Sequence, residues 1–177
     1  MLALIITGDK HSGKSSFTKI LCSRILGLEL GTPICGLIQV PPLAGEEQKE
    51  WYLCDMVSGE ERLLLTTIER EGWPQRGRFW INQATFEWAN ERLLDSIGKS
   101  VFLVIDEIGP LELEGGGYHE ALSELRRIDE AEGDIPILIV VVRRELVDAV
   151  IERYSLEWTK MLDTSRPWEE EFGEFVY

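Results

Sequence analysis

The chain has 177 residues, 44 % of them hydrophobic and 28 % charged, a composition that lets one globular domain bury a core without disulfide staples. Its 32 acidic and 18 basic residues give a formal charge of −14, which repels polyanions and argues against DNA or RNA as a partner. No apolar run is long enough to span a bilayer, and Cys22, Cys35 and Cys54 form no CxxC pair for zinc or redox chemistry. A single domain over residues 1–177, monomeric and cytoplasmic, is expected, with each cysteine a small buried hydrophobe.

Residues 2–7 read as a β-strand. Lacking a basic flank and leading straight into a loop, they are not read as a signal peptide. The loop is Gly8-Asp9-Lys10-His11-Ser12-Gly13-Lys14-Ser15, which has the glycine and lysine spacing of a phosphate-binding loop. Gly8 and Gly13 allow backbone angles that bring amide N–H groups around phosphate oxygens, and the following helix adds the positive end of its dipole. Residues Gly8 to Ser16 are therefore the expected nucleotide cradle, with Lys14 on the outer phosphates and the Ser15 hydroxyl on a bound Mg²⁺. Lys10 is a candidate for reaching phosphate, and His11 is read as a backbone-only loop position. The helix from Lys14 carries an apolar stripe of Phe17, Ile20, Leu21, Ile25 and Leu28 and ends near Gly27.

Residues 28–33 read as a loop and 34–40 as a strand, followed by a turn at Pro41-Pro42 and 45–49. Strands are expected at 51–57 and 62–67, so that three short strands form an antiparallel meander inserted after the first βα unit. Residues 68–78 read as irregular and 79–81 as a brief strand. Asn82 is placed to cap a helix running to about Ile97, with Phe86, Ala89, Leu93 and Ile97 inward. Residues 101–105 are continuously apolar, the mark of a strand buried on both faces, and lead to Asp106-Glu107. A helix at 118–128, a buried strand at 135–142, a helix at 143–154 and a last strand at 157–162 complete an α/β pattern with a mostly parallel sheet. The tail, 168–177, is acidic and aromatic and is read as docking or fraying.

Five apolar residues ending in Asp106 form a Walker B pattern, and an aspartate there sits where open α/β sheets bind ligands. Asp106 is expected to share Mg²⁺ with Ser15, and Glu107 to orient a water and take its proton. That carboxylate favours hydrolysis of a nucleoside triphosphate. A nucleoside or nucleotide kinase and a nucleotide-dependent switch protein are the alternative readings. Further positive charge for the transition state would come from Arg143, Arg144 or Arg166.

The chain resembles the small nucleoside-triphosphatase family that includes the thermostable prokaryotic NTPases and the cancer-related nucleoside-triphosphatase. Besides the phosphate loop, the likeness rests on Cys35-Gly36-Leu37-Ile38, on Asp55-Met56-Val57-Ser58-Gly59, on the helix entry from Asn82 to Phe86, and on Val104-Ile105-Asp106-Glu107-Ile108-Gly109-Pro110-Leu111-Glu112-Leu113. It implies a P-loop NTPase domain with a RecA-like core and Mg²⁺-dependent hydrolysis of ATP, GTP and other triphosphates to diphosphates. Pro110 stands where many members carry lysine, and Ser165-Arg166-Pro167 matches the family's Asn-Arg-Asp element only at Arg166. Glu112 matches a family glutamate and could also cap the Gly115-Gly116-Gly117 loop.

Overall fold

The computed structural model describes residues 1–10, 12–27, 33–40 and 49–166. The loop at 28–32, the turn at 41–48, His11 and the tail 168–177 lie outside the described residues.

Strand β1 (Leu2–Gly8) is apolar nearly throughout and covered on both faces, as a central parallel strand must be. Its side chains alternate, so Ala3 and Ile5 enter one core and Leu4 and Ile6 the other. Helix α1 (Lys14–Gly27) closes the second core with Phe17, Leu21 and Cys22. Ile20 is not on that stripe: Lys14 and Thr18 share the buried face, which turns Ile20 outward to 48 % exposure. Of the other cysteines, Cys35 and Cys54 are only half-buried.

The chain continues through β2 (Ile34–Val40), β3 (Glu50–Asp55), β4 (Glu61–Thr66), β5 (Gln75–Arg76) and β6 (Phe79–Ile81) to helix α2 (Gln83–Asp95). Strand β7 (Phe102–Ile108) leads to a one-turn helix α3 (Pro110–Leu113) and to α4 (His119–Glu132). Strand β8 (Ile137–Arg143), a 3-10 turn at Arg144–Leu146, α5 (Val147–Tyr154) and β9 (Glu157–Asp163) follow. All nine strands join one sheet in the order β5-β6-β4-β3-β2-β7-β8-β1-β9. The five strands β2, β7, β8, β1 and β9 run parallel, and β3, β4, β6 and β5 extend the sheet antiparallel beyond β2. The α/β architecture with an inserted meander is therefore borne out, and β2 serves both parts.

Three local expectations change. The stretch 68–78 contains β5, which folds back on β6 around Gly77. Asn82 occupies the N-cap position of α2 without capping, because its Nδ2 donates to Leu63 O at 2.9 Å and ties the helix to β4. The helix α3 has no periodic signal because one turn is too short to show one.

Two contacts fix the ground on which the site stands. At Gly36 the backbone of β2 lies so close to β7 that a Cβ would fall 2.2 Å from Val104 O, and φ is +134°. Only glycine fits there. Glu112 is 3 % exposed and accepts hydrogen bonds from Gly109 N–H at 2.8 Å and Tyr118 N–H at 3.3 Å, clasping both ends of the 109–118 segment. It thus spans the glycine loop as a structural brace. Burial pushes its carboxyl up to about 7.

Gly36→Ala is expected to lose about 2–4 kcal/mol of stability, from strain and strand displacement, read by urea unfolding. Since the Glu112 pKa is raised on folding, the native state holds its proton more tightly. Its contribution to stability is full below the unfolded value near 4.5 and is lost as pH rises through about 7. Unfolding free energy should therefore fall between pH 5 and 7.5. In Glu112→Gln that fall should shrink, at a cost of about 1–3 kcal/mol for an N–H left without its acceptor. An unchanged slope would exclude Glu112 as the titrating group.

Candidate phosphate-binding active site

The loop leaves β1 at Gly8, where φ is +155° and a Cβ would fall 2.1 Å from Thr164 Oγ1 and 2.5 Å from Ser12 Oγ. Thr164 follows β9. Its hydroxyl donates to Thr7 O at 3.2 Å and lies 2.7 Å from Ser12 Oγ, so Ser12 is the donor to it. The loop is thereby pinned to the segment that follows β9. The first helical hydrogen bond of α1 joins Phe17 N–H to Gly13 O at 2.9 Å, which leaves the N–H groups of Lys14, Ser15 and Ser16 for an anion at the helix start. Lys14 folds back over the loop and donates to Asp9 O at 2.7 Å and Gly8 O at 3.3 Å. Its burial lowers its pKa, opposed chiefly by Glu107.

The acids arrive from β7, two strands away, with β8 between. Consecutive residues of a regular strand point to opposite faces. Here β7 carries a bulge: Ile105 pairs with Val140 and Ile108 with Val142, so β7 has one residue more than β8 over this span. Glu107 takes the left-handed conformation, φ +69°, unusual for a side chain with a Cβ. Asp106 is buried, accepting from Ser15 Oγ at 3.2 Å and from the Gln39 N–H at 2.9 Å. Burial raises it to about 6 against those two bonds. Glu107 is half-buried. Its Oε1 accepts from Arg143 Nε and Nη2 at 3.1 and 2.8 Å, and its Oε2 from Gln39 Nε2 at 3.3 Å.

These groups line one cleft of about 460 Å³. Lys10, Ser12, Gly13, Lys14, Ser15 and Ser16 form one side, Asp106, Glu107 and Arg143 the middle, and residues of the antiparallel extension the far side. Gly8 shapes the loop from behind. Asp9 does not line the cleft: its carbonyl accepts from Lys14 and its carboxylate pairs with Arg144 at 3.3 Å. His11 lies outside the described residues. The three candidate arginines separate. Arg143 is in the cleft on Glu107. Arg144 is held outside it by Asp163 at 2.6 Å and by Asp9, a pairing that holds the Asp163 carboxyl down at about 2. Arg166 is exposed after β9 and does not line the cleft.

Gln39 was not singled out by motif, yet it touches both acids. Its one trace in the sequence is a polar residue in an otherwise apolar strand. Thr164 carries no such trace, since its partner Ser12 is 152 residues away.

A family model described as NTPase matches residues 3–166. Nucleoside-triphosphatase THEP1 of Methanothermobacter thermautotrophicus is 28 % identical over 159 residues, covering 88 % of this chain and 84 % of that protein. Its namesake in Methanosarcina barkeri is 28 % identical over 144 residues, 81 % of this chain and 78 % of that protein. Among solved structures, THEP1 from the hyperthermophile Aquifex aeolicus superposes with a TM-score of 0.67 at 16 % identity, covering 100 % of this chain and 97 % of that one. The solution structure of a human cancer-related nucleoside triphosphatase gives 0.66 at 20 % identity, covering 92 % and 88 %. The fold is shared with both structures, and the family model spans the phosphate loop, the bulged acidic strand and the brace at Glu112 together: the chain belongs to the NTPase family.

Proposed function

We propose that the protein hydrolyses nucleoside 5′-triphosphates to diphosphate and phosphate, acting as a single-domain, cytoplasmic monomer on free nucleotides and not on nucleic acid or membrane. One observation carries the reading. The Ser15 hydroxyl is bonded to Asp106 at 3.2 Å with Glu107 and Lys14 lining the same cleft, so phosphate, metal and water would meet at one point. The high negative charge of the chain makes the cationic groups Lys14 and Arg143 the local exception that a polyphosphate needs.

The oxygen donors at this point suit Mg²⁺. Ser15 and Asp106 supply hard oxygen ligands, and among the described residues no group of three or more His, Cys, Asp or Glu side chains could hold a metal alone. The rest of the shell would come from phosphates and water, which is how Mg²⁺ is ordinarily bound. When bound, the ion neutralises charge on the β- and γ-phosphate oxygens.

The protein's own groups do the rest. The backbone N–H groups at the start of α1 hold the phosphates, and Lys14 exchanges its carbonyl partners for β- and γ-phosphate oxygens. A γ-phosphate beside Glu107 competes for Arg143, which draws the guanidinium onto the developing charge and releases the carboxylate. Glu107 then takes the proton from the attacking water while the bond between γ-phosphorus and the bridging oxygen breaks. Gln39 keeps Glu107 turned toward the cleft.

Phosphate release from ATP or GTP should stop with EDTA and return with Mg²⁺. Glu107→Gln should bind nucleotide yet turn over about 10²–10⁴-fold more slowly. Unchanged turnover would remove it as the base. Lys14→Ala should lose triphosphate binding in calorimetry, and wild-type affinity there would refute the loop assignment.

A further inference from the structure

The cleft does not end at Glu107. The hydrogen bonds Ser15–Asp106, Asp106–Gln39 and Gln39–Glu107 lead from the phosphate loop onto β2. Beyond β2 in the sheet come β3, β4 and β6, and these contribute Trp51, Leu65 and Phe79 to the lining. Trp51 and Phe79 meet edge to face, ring centroids 5.0 Å apart at 89°. Arg78 stands over Phe79 at 4.9 Å and has no carboxylate partner among the described residues. On the floor, Tyr118 packs against Phe86, and its buried hydroxyl has no hydrogen-bond partner among the described residues.

Position decides what this wall can meet. With Lys14 on the outer phosphates and Glu107 beside the γ-phosphate, as proposed above, the nucleoside would be the end of the triphosphate farthest from Glu107. The aromatic wall therefore faces the γ-phosphate from the side where a nucleophile enters. Water needs no apolar wall, and a buried hydroxyl without a partner destabilises the fold that holds it. An organic ligand would account for both.

We propose that this far half of the cleft is a second-substrate site for a flat aromatic or heteroaromatic alcohol, to which the protein transfers the γ-phosphoryl group in competition with water. The ring lies against Trp51 and Phe79, and its polar substituents meet Arg78 and the Tyr118 hydroxyl. The hydroxyl oxygen of the alcohol bonds to γ-phosphorus as the bond to the bridging oxygen breaks. The electron pair leaves with the nucleoside diphosphate, and the alcohol's proton passes to Glu107. The products are a diphosphate and a phosphomonoester; water in the same place gives phosphate. The inference rests on the reading of Glu107 as proton acceptor.

The test incubates the full chain with Mg²⁺ and ATP alone and then with benzyl alcohol, 3-pyridinemethanol, adenosine or uridine, following ADP, phosphate and esters by ³¹P NMR. With at least one alcohol, ADP should exceed inorganic phosphate by the amount of ester formed. Trp51→Ala and Phe79→Leu should lower the ester-to-phosphate ratio about tenfold, a loss of about 1.4 kcal/mol, and Trp51→Phe should keep it. Equal ADP and phosphate with every alcohol, while ATP is hydrolysed, would overturn the proposal. So would a several-fold rise in KM for ATP in Trp51→Ala, which would put the nucleotide's own base on the wall. Ester without any phosphate from ATP alone would uphold it and refute the hydrolytic reading instead.

Discussion

The site depends on one buried carboxylate. Asp106 sits at the end of a strand with no solvent around it, and two donors from different parts of the chain make that tolerable: the Ser15 hydroxyl and the Gln39 N–H. Burial still dominates, as its raised pKa records. A carboxylate kept short of compensation is a ready ligand for a cation, since a metal ion returns the favourable electrostatics that desolvation removed. Each donor also positions something else. Ser15 belongs to the phosphate loop, and Gln39 belongs to the strand from which the antiparallel extension grows, so one side chain joins the two halves of the cleft.

The bulge in β7 gives the neighbouring acid its separate surroundings. Without the extra residue, Glu107 would follow Asp106 to the opposite face of the sheet. With it, and with the backbone of Glu107 in a left-handed turn, both carboxylates reach the cleft in different surroundings. Asp106 is sealed under the loop, while Glu107 stays half-exposed between a guanidinium and an amide. Strain of this kind is retained because the β7–β8 ladder on one side and the brace at Glu112 on the other hold Glu107 in place.

Much of this was legible in the order of residues. The phosphate loop and the apolar run before Asp106 each follow from local chemistry, glycine freedom in one and double-sided burial in the other. Long apolar strands and the stripe of α2 are legible for the same reason. What was hidden is what depends on partners distant in sequence. The Ile20 stripe failed because the buried face of α1 is set by its packing on the sheet and includes Lys14 and Thr18. Asn82 has the composition of a cap, but β4 claims its amide. Arg143 and Arg144 are equivalent as letters; only the pairing with Glu107 or with Asp163 tells them apart. Trp51 and Phe79 come together across an antiparallel register that no local pattern encodes.

The tie between Ser12, Thr164 and Thr7 has a consequence for how the molecule comes into being. The strand that carries the loop is made before every other described element, yet its two neighbours in the sheet, β8 and β9, are among the last of them. The loop's lock is formed by a threonine near the end of that series. During synthesis the N-terminal segment must therefore wait, apolar and unpaired, until nearly the whole described chain has emerged. A chain that stops short of Thr164 therefore lacks the hydroxyl that locks its glycine-rich loop.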